Sequence, residues 1–132
     1  MLVDGDVAGE IGAGLCILIG FSVFDADSDL ARFARKVANL RVFERDGKMT
    51  SSLLDTGGEA LVVSQFTLIA DTAKGNRPSF SHAARPEEAE RLYEQFCAAL
   101  EDVGVRAARG VFGARMQVEL VNDGPVTIVL EI

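Results

Sequence analysis

The chain has 132 residues, 48% of them hydrophobic and 25% charged, with 13 basic against 20 acidic side chains and a formal net charge of −7. That length suits one domain with a core of useful size. The acidic balance argues against a broad electrostatic footprint on nucleic acid or anionic lipid, while leaving room for a small local basic patch. No apolar run reaches the roughly 18 residues of a membrane span, because Leu15 to Phe21 is soon followed by Asp25. The start, Met1-Leu2-Val3-Asp4, lacks the basic leader of a signal peptide, so a soluble cytoplasmic domain is expected.

Asp4-Gly5 is a hairpin signal, since glycine accepts the positive φ of a type I′ turn. Only Met1, Leu2 and Val3 precede it, so most of a first arm is expected to be missing. The glycines of Gly9-Glu10-Ile11-Gly12-Ala13-Gly14 precede a strand, whereas a dinucleotide fingerprint needs them to open a helix; a structural turn is the reading there. Leu15 to Phe21 suits a strand buried on both faces. Leu30, Phe33, Ala34, Val37 and Leu40 then recur at helical spacing, with Asp27 or Ser28 as N-cap. Arg41 to Phe43 reads as a short strand before the turn Arg45-Asp46-Gly47-Lys48. Leu53-Leu54 and a turn at Gly57-Gly58 lead into Ala60 to Leu68, a central strand.

Asp71 to Arg85 is irregular, with Gly75 and Pro78, and a loop this long in a small domain points to function. Pro86 starts a second helix with Ala89, Leu92, Tyr93, Phe96, Cys97 and Leu100 on one stripe, Glu87 facing Arg91 on its outer side, and Gly104 at its end. Met116, Val118 and Leu120 alternate with Gln117 and Glu119, and Asn122-Asp123-Gly124-Pro125 turns the chain into a last strand, Val126 to Ile132. The order β, α, several β, α and β-hairpin predicts a mixed α/β fold, a mixed sheet covered by two helices.

Cys16 and Cys97 read as small core hydrophobes, and no disulfide between them is expected in a reducing compartment. With His82 the one histidine, no ligand spacing for a metal exists, and neither metal nor cofactor is expected. His82 lies in Ser79-Phe80-Ser81-His82 without a patterned acid or a Gly-x-Ser-x-Gly elbow, and reads as a solvated loop residue. The carboxylates at Asp25, Asp27 and Asp29 and at Glu87, Glu88 and Glu90 fall at helix starts, where acid complements the macrodipole. Two segments stand out. Ser64-Gln65-Phe66-Thr67 abruptly ends an apolar strand with two hydroxyls and an amide; as a strand it would put Ser64 and Phe66 on one face, Gln65 and Thr67 on the other. Asn122-Asp123-Gly124-Pro125-Val126-Thr127 joins a free glycine backbone to a bond that can be cis, a turn able to aim carbonyls at a ligand. Taken singly, each reads as a plain strand end and a plain hairpin turn.

Together, Ser64-Gln65-Phe66-Thr67-Leu68 and Asn122-Asp123-Gly124-Pro125-Val126-Thr127 resemble the two signature motifs of the D-aminoacyl-tRNA deacylase family. Gly9-Glu10-Ile11-Gly12, Gly47-Lys48-Met49, Leu61-Val62-Val63, Arg77-Pro78-Ser79-Phe80 and Met116-Gln117-Val118 fall in the family's order, so the resemblance spans essentially the whole chain as one domain, 1–132. It implies a homodimer with barrel-like β layers that hydrolyses the ester between a D-amino acid, or glycine, and the terminal adenosine of tRNA. By this likeness Gly124 and a cis-bonded Pro125, with Asn122, Val126 and Thr127, enter the partner's pocket as a chiral gate that rejects L-side chains by backbone clash. Ser64, Gln65, Phe66 and Thr67 line the catalytic wall, with backbone amides as an oxyanion hole. No His or Lys is patterned to activate Thr67, so it takes a positioning role while water, assisted by the adenosine 2′-hydroxyl, attacks. Phe112 and Met116 resemble positions at the pocket mouth near the adenine, a core role being equally open. Neither a membrane nor a protein partner beyond the second subunit is implied.

Lys74, Arg77 and Arg85 are the implied contacts to the tRNA acceptor end, although Ala73 and Asn76 stand where the family often carries basic residues. The family also begins one strand earlier, with a Gln-Arg-Val motif that helps hold the Gly-Pro loop, in keeping with the short arm before Asp4-Gly5. Loss of that strand would leave a non-catalytic nucleic-acid-binding or scaffolding homologue as the alternative. A Ser/Thr esterase using Thr67 with His82 ranks last. The thinned loop predicts a smaller slope of log binding constant against log salt for tRNA than relatives show, measured by salt titration.

Overall fold

The computed structural model describes residues 1–132 apart from Asp27 and Pro125. The elements follow as β1 (Leu2–Val3), β2 (Asp6–Val7), β3 (Gly14–Ile19), α1 (Leu30–Asn39), β4 (Phe43–Arg45), β5 (Lys48–Ser51), α2 (Leu53–Thr56), β6 (Glu59–Ser64), α3 (Pro86–Asp102) and β7 (Ala107–Arg109), with a 3₁₀ turn at Phe66–Leu68. This is a mixed α/β fold. Its centre is a three-stranded parallel sheet in the order β3-β6-β7, and the antiparallel pairs β1-β2 and β4-β5 stand apart from it.

Both hairpins turn on an Asp-Gly pair in which each residue has positive φ, Asp4 and Gly5 in the first, Asp46 and Gly47 in the second, the geometry that matches strand twist. The arm before Asp4 is short but held on both sides. Leu2 pairs with Val7, and its amide and carbonyl bond the carbonyl and amide of Gln117 at 2.8 and 2.9 Å.

Strand β6 is the middle of the sheet, and its side chains divide two cores. Ala60 and Val62 face the helical layer with Ala34, Val37, Leu92, Phe96, Cys97 and Leu100; Leu61 and Val63 face Met1 and Ala108, against which Ile11, Met116 and Val118 pack. Helices α1 and α3 cover the first face, as the periodicity predicts. The N-cap of α1 is Asp29, whose carboxylate accepts from the Arg32 amide at 3.0 Å. Ser28 does not cap it: its hydroxyl donates to Asp25 at 3.3 Å, and Asp27 lies outside the described residues. On α3, Arg91 is ion-paired with Glu88, one residue beyond the Glu87 that the spacing suggested.

Several expectations are corrected. The run from Leu15 ends as a strand at Ile19 and is covered on one face only: with β3 at the sheet edge, Cys16 and Leu18 are exposed, so Cys16 is not a core residue. The strand before the second hairpin is Phe43–Arg45, not Arg41 to Phe43, because Asp46-Gly47 sets the register with Lys48–Ser51. Leu53-Leu54 opens the short helix α2, which a reciprocal capping box of Ser52 and Asp55 nucleates. The stretch after α3 contributes β7, which the alternation from Met116 onward obscured. No ladder forms beyond the Leu2–Gln117 bridge among the described residues of the last segment, so the expected hairpin of Met116 to Leu120 with Val126 to Ile132 is absent within one chain. Alternation survives only as far as Val118, whose partly buried side chain is flanked by exposed Gln117 and Glu119.

One buried hydroxyl fastens α3 to the sheet. Tyr93 donates to the Val62 carbonyl at 2.6 Å and accepts from the Gly110 amide at 3.4 Å, standing between β6 and the end of β7. Burial above all, with Cys97 beside it, pushes the phenol pKa up to about 12. Tyr93→Phe leaves the Val62 carbonyl unpaired and is expected to lower stability by about 1–3 kcal/mol in denaturant unfolding. The Ser52 amide donates to the Asp55 carboxylate at 2.9 Å, and this bond above all, with the Ser52 hydroxyl beside it, holds the Asp55 carboxyl below its ordinary range. The ionised form is therefore favoured in the folded chain, and its contribution is present above the ordinary carboxylate pKa and lost as pH falls through the folded one. Asp55→Asn is expected to flatten the acid limb of a stability–pH curve followed by urea unfolding.

Candidate active site

The apolar strand β6 stops at Ser64 because its neighbour stops. Ile19 is the last residue of β3 to pair, opposite Ser64, and the Gln65 amide takes the Ile19 carbonyl at 2.8 Å as the final rung. With no ladder beyond, the chain folds into the 3₁₀ turn Phe66–Leu68, closed by bonds from the Leu68 amide to the Gln65 carbonyl and from the Ile69 amide to the Phe66 carbonyl, 3.2 and 3.0 Å. The expected strand Ala60 to Leu68 is thus four residues too long, and its two-faced placement of Ser64 and Phe66 against Gln65 and Thr67 does not hold. Gly20 makes the turn possible: a Cβ there would lie 2.8 Å from the Gln65 carbonyl oxygen and 3.1 Å from Leu68 Cβ.

A turn of this kind leaves its first amides outside the ladder. The two closing bonds are donated by Leu68 and Ile69, and among the described residues neither the Phe66 nor the Thr67 N–H donates a hydrogen bond. Ser64 and Gln65 are half-buried; Phe66 and Thr67 are exposed. The Gln65 side-chain amide donates to the Thr67 hydroxyl oxygen, which fixes Thr67 but gives it no base, since a carboxamide cannot take a proton at neutral pH. His82 does not serve either. It is exposed, its ring lies 6.2 Å from that of Phe24, and no hydrogen bond joins it to Thr67 among the described residues. The arrangement offers backbone amide donors and an oriented hydroxyl, without an activated protein nucleophile among the described residues.

The basic loop is tied to this wall. Asp71 and Ser79 exchange both backbone hydrogen bonds, 2.8 and 2.9 Å, closing the segment that holds Lys74 and Arg77, both exposed. Immediately after the closure, Phe80 meets Phe66 edge-on, with ring centroids 5.3 Å apart. Arg85 is exposed at the N-cap of α3, beside Val23, Ala84 and Glu88. Neither Gly20 nor Phe80 stood out from sequence, although Phe80 lies in Arg77-Pro78-Ser79-Phe80. Only the turn that replaces the strand end brings both to the wall.

Gly124 has φ of 145°, and the Asn122 side-chain amide donates to the Thr127 hydroxyl at 3.3 Å, clasping the turn. Val126 is half-buried, and Asn122, Gly124 and Thr127 are exposed. Pro125 and the expected cis bond before it lie outside the described residues. No hydrogen bond or ring contact joins this turn to Ser64, Gln65, Phe66 or Thr67 among the described residues. Phe112 packs at the edge of the helix-side core with its ring 6.2 Å from Tyr93, while Met116 packs in the opposite core. The described residues contain no cluster of metal-ligating side chains and no helix long and apolar enough to cross a membrane.

Polar groups at the carboxyl end of a parallel strand occupy the ligand-binding position of open α/β sheets, which defines an α/β protein with a strand-end site. Comparison with known proteins narrows this. The profile of the family described as D-Tyr-tRNA(Tyr) deacylase matches residues 1–131. A D-aminoacyl-tRNA deacylase of Dinoroseobacter shibae is 57% identical over 130 residues, 98% of this chain and 90% of the relative. One of Roseiflexus castenholzii is 58% identical over 130 residues, 98% of this chain and 83% of the relative. A solved structure titled "c-Myc DNA Unwinding Element Binding Protein" is 44% identical and superposes with a TM-score of 0.91, covering 99% of this chain and 90% of that one. The chain belongs to the D-Tyr-tRNA(Tyr) deacylase family of hydrolases. Gly20→Ala is expected to displace the Phe66–Leu68 turn and lower kcat/KM for deacylation by about tenfold or more, with far-UV circular dichroism unchanged.

Proposed function

We propose that this chain hydrolyses the ester joining a D-amino acid, or glycine, to the terminal adenosine of tRNA. The observation that carries the reading is the paired Phe66 and Thr67 amides at the end of β6, in a chain whose relatives are named D-aminoacyl-tRNA deacylases. Water adds to the ester carbonyl, the amides receive the developing oxyanion, and the bond to the ribose 3′-oxygen breaks with the adenosine 2′-hydroxyl relaying the proton. Ser64 and Gln65 shape the wall, and Thr67 orients through its bond from Gln65.

The gate is supplied by a second copy in this reading. Three features support a homodimer: the clasped Asn122–Thr127 turn makes no hydrogen bond or ring contact with its own Ser64–Thr67 wall among the described residues, edge strand β3 exposes Leu18, and the last segment exposes Val121 and Val129, at 93% and 86%. Apolar side chains this open on unpaired backbone call for a partner. Gly124 and Pro125 of one subunit then meet the substrate's α-amino group in the other, and an L-side chain clashes with that backbone. Phe112 and Met116 border the adenine, and Lys74, Arg77 and Arg85 grip the acceptor end.

A second reading, a nucleic-acid-binding homologue without catalysis, draws support from the 44%-identical structure whose title names a DNA-element-binding protein. One assay separates the two. Hydrolysis of D-tyrosyl-tRNA with L-tyrosyl-tRNA spared, lowered about tenfold or more in kcat/KM by Pro125→Ala, is the expected result; no hydrolysis of either ester favours the second reading.

A further inference from the structure

Nearly half of the basic residues lie in one short stretch. Residues 30–48 hold Arg32, Arg35, Lys36, Arg41, Arg45 and Lys48 against Glu44 and Asp46 only, in a chain that is acidic overall. All six cations are exposed. The four ion pairs of the described residues use Arg91, Arg106 and Arg109, so none of the six is spent on an internal partner of that kind. Asp55 feels Arg41 and Arg45 but is bonded first to Ser52.

The fold lines these charges up. Arg32, Arg35 and Lys36 follow the i, i+3, i+4 spacing of one helix face, opposite the buried Leu30, Ala34, Val37 and Ala38. Helix α1 packs on α3, with the Phe33 and Phe96 ring centroids 5.7 Å apart, and its first turn lines a groove with Gln95, Ala98, Ala99 and Asp102 of α3. About 15 Å along the helix, the chain passes to Arg41 and the β4-β5 hairpin with Arg45 and Lys48, which continues the basic stretch.

We infer that this face of α1 and the β4-β5 hairpin form a second phosphate-binding surface, seating the backbone of the acceptor stem whose 3′ end occupies the site. The inference rests on the deacylase reading. Double-stranded RNA is recognised through shape and phosphate contacts, and a rigid helix with three cations at fixed spacing suits a regular row of phosphates better than a mobile loop does.

The test compares a full D-aminoacyl-tRNA with D-aminoacyl-adenosine, which reaches the wall but is too short for α1. The variant Arg32→Gln/Arg35→Gln/Lys36→Gln is expected to raise KM for the tRNA about tenfold with kcat kept, to cut the log–log salt slope of binding by about 2–3, and to leave the adenosine ester unaffected. The charge-keeping variant Arg32→Lys/Arg35→Lys/Lys36→Arg should restore the tRNA KM. Unchanged KM and slope in the neutral variant would overturn the inference, as would equal losses on both substrates that charge fails to rescue. Absence of hydrolysis of either ester by the unaltered chain would instead defeat the deacylase reading, and binding of duplex DNA with the same salt slope would assign the stripe to a different nucleic acid.

Discussion

Everything near the candidate site follows from one constraint on β6. The strand is buried on both faces and flanked on both edges, so its peptide groups must find partners inside the protein. On one side β3 supplies them as far as Ile19; on the other β7 supplies them only to Arg109, after which the Tyr93 hydroxyl takes over between the Val62 carbonyl and the Gly110 amide. Where both supports run out, the chain cannot continue extended, and it turns. The turn is what exposes the Phe66 and Thr67 amides. A deep, fully satisfied strand and an open pair of donors are thus two ends of one hydrogen-bond problem.

Much of this was legible in the sequence, and the failures share a cause. Helices α1 and α3, both Asp-Gly hairpins and the central strand could be read because their signals are local: a 3.6-residue period, a positive-φ turn, an apolar run. The end of β6 could not, since Ser64-Gln65-Phe66-Thr67 is compatible with a strand until one knows that β3 stops at Ile19. The exposure of Cys16 and Leu18 was hidden in the same way. A continuous apolar run reads as buried on both faces, but edge position in the sheet is a property of pairing, not of composition. The last segment shows the converse, with strand-like alternation and, among the described residues, no ladder beyond the Leu2–Gln117 bridge.

The candidate site was legible mainly as motif. Ser64 to Thr67 and Asn122 to Thr127 were singled out on chemistry, and one of them lies at the strand end where a ligand belongs. Sequence could not show how the pieces are held. The Gln65–Thr67 bond, the Phe66–Phe80 contact and the clearance at Gly20 each join residues through a turn whose existence depends on long-range pairing.

The helical layer is also charged unevenly. Helix α1 carries three basic and no acidic residues, while its neighbour α3 carries six acidic and one basic. Two such helices lying side by side give the molecule a sideways electrical polarity that its net charge of −7 conceals. In solution a polyanion would feel repulsion from most directions and attraction from one, so it would be turned before it touched. An acidic protein of this design selects the angle of approach in exchange for a lower overall attraction, and its encounters would be productive in orientation more often than its charge alone suggests.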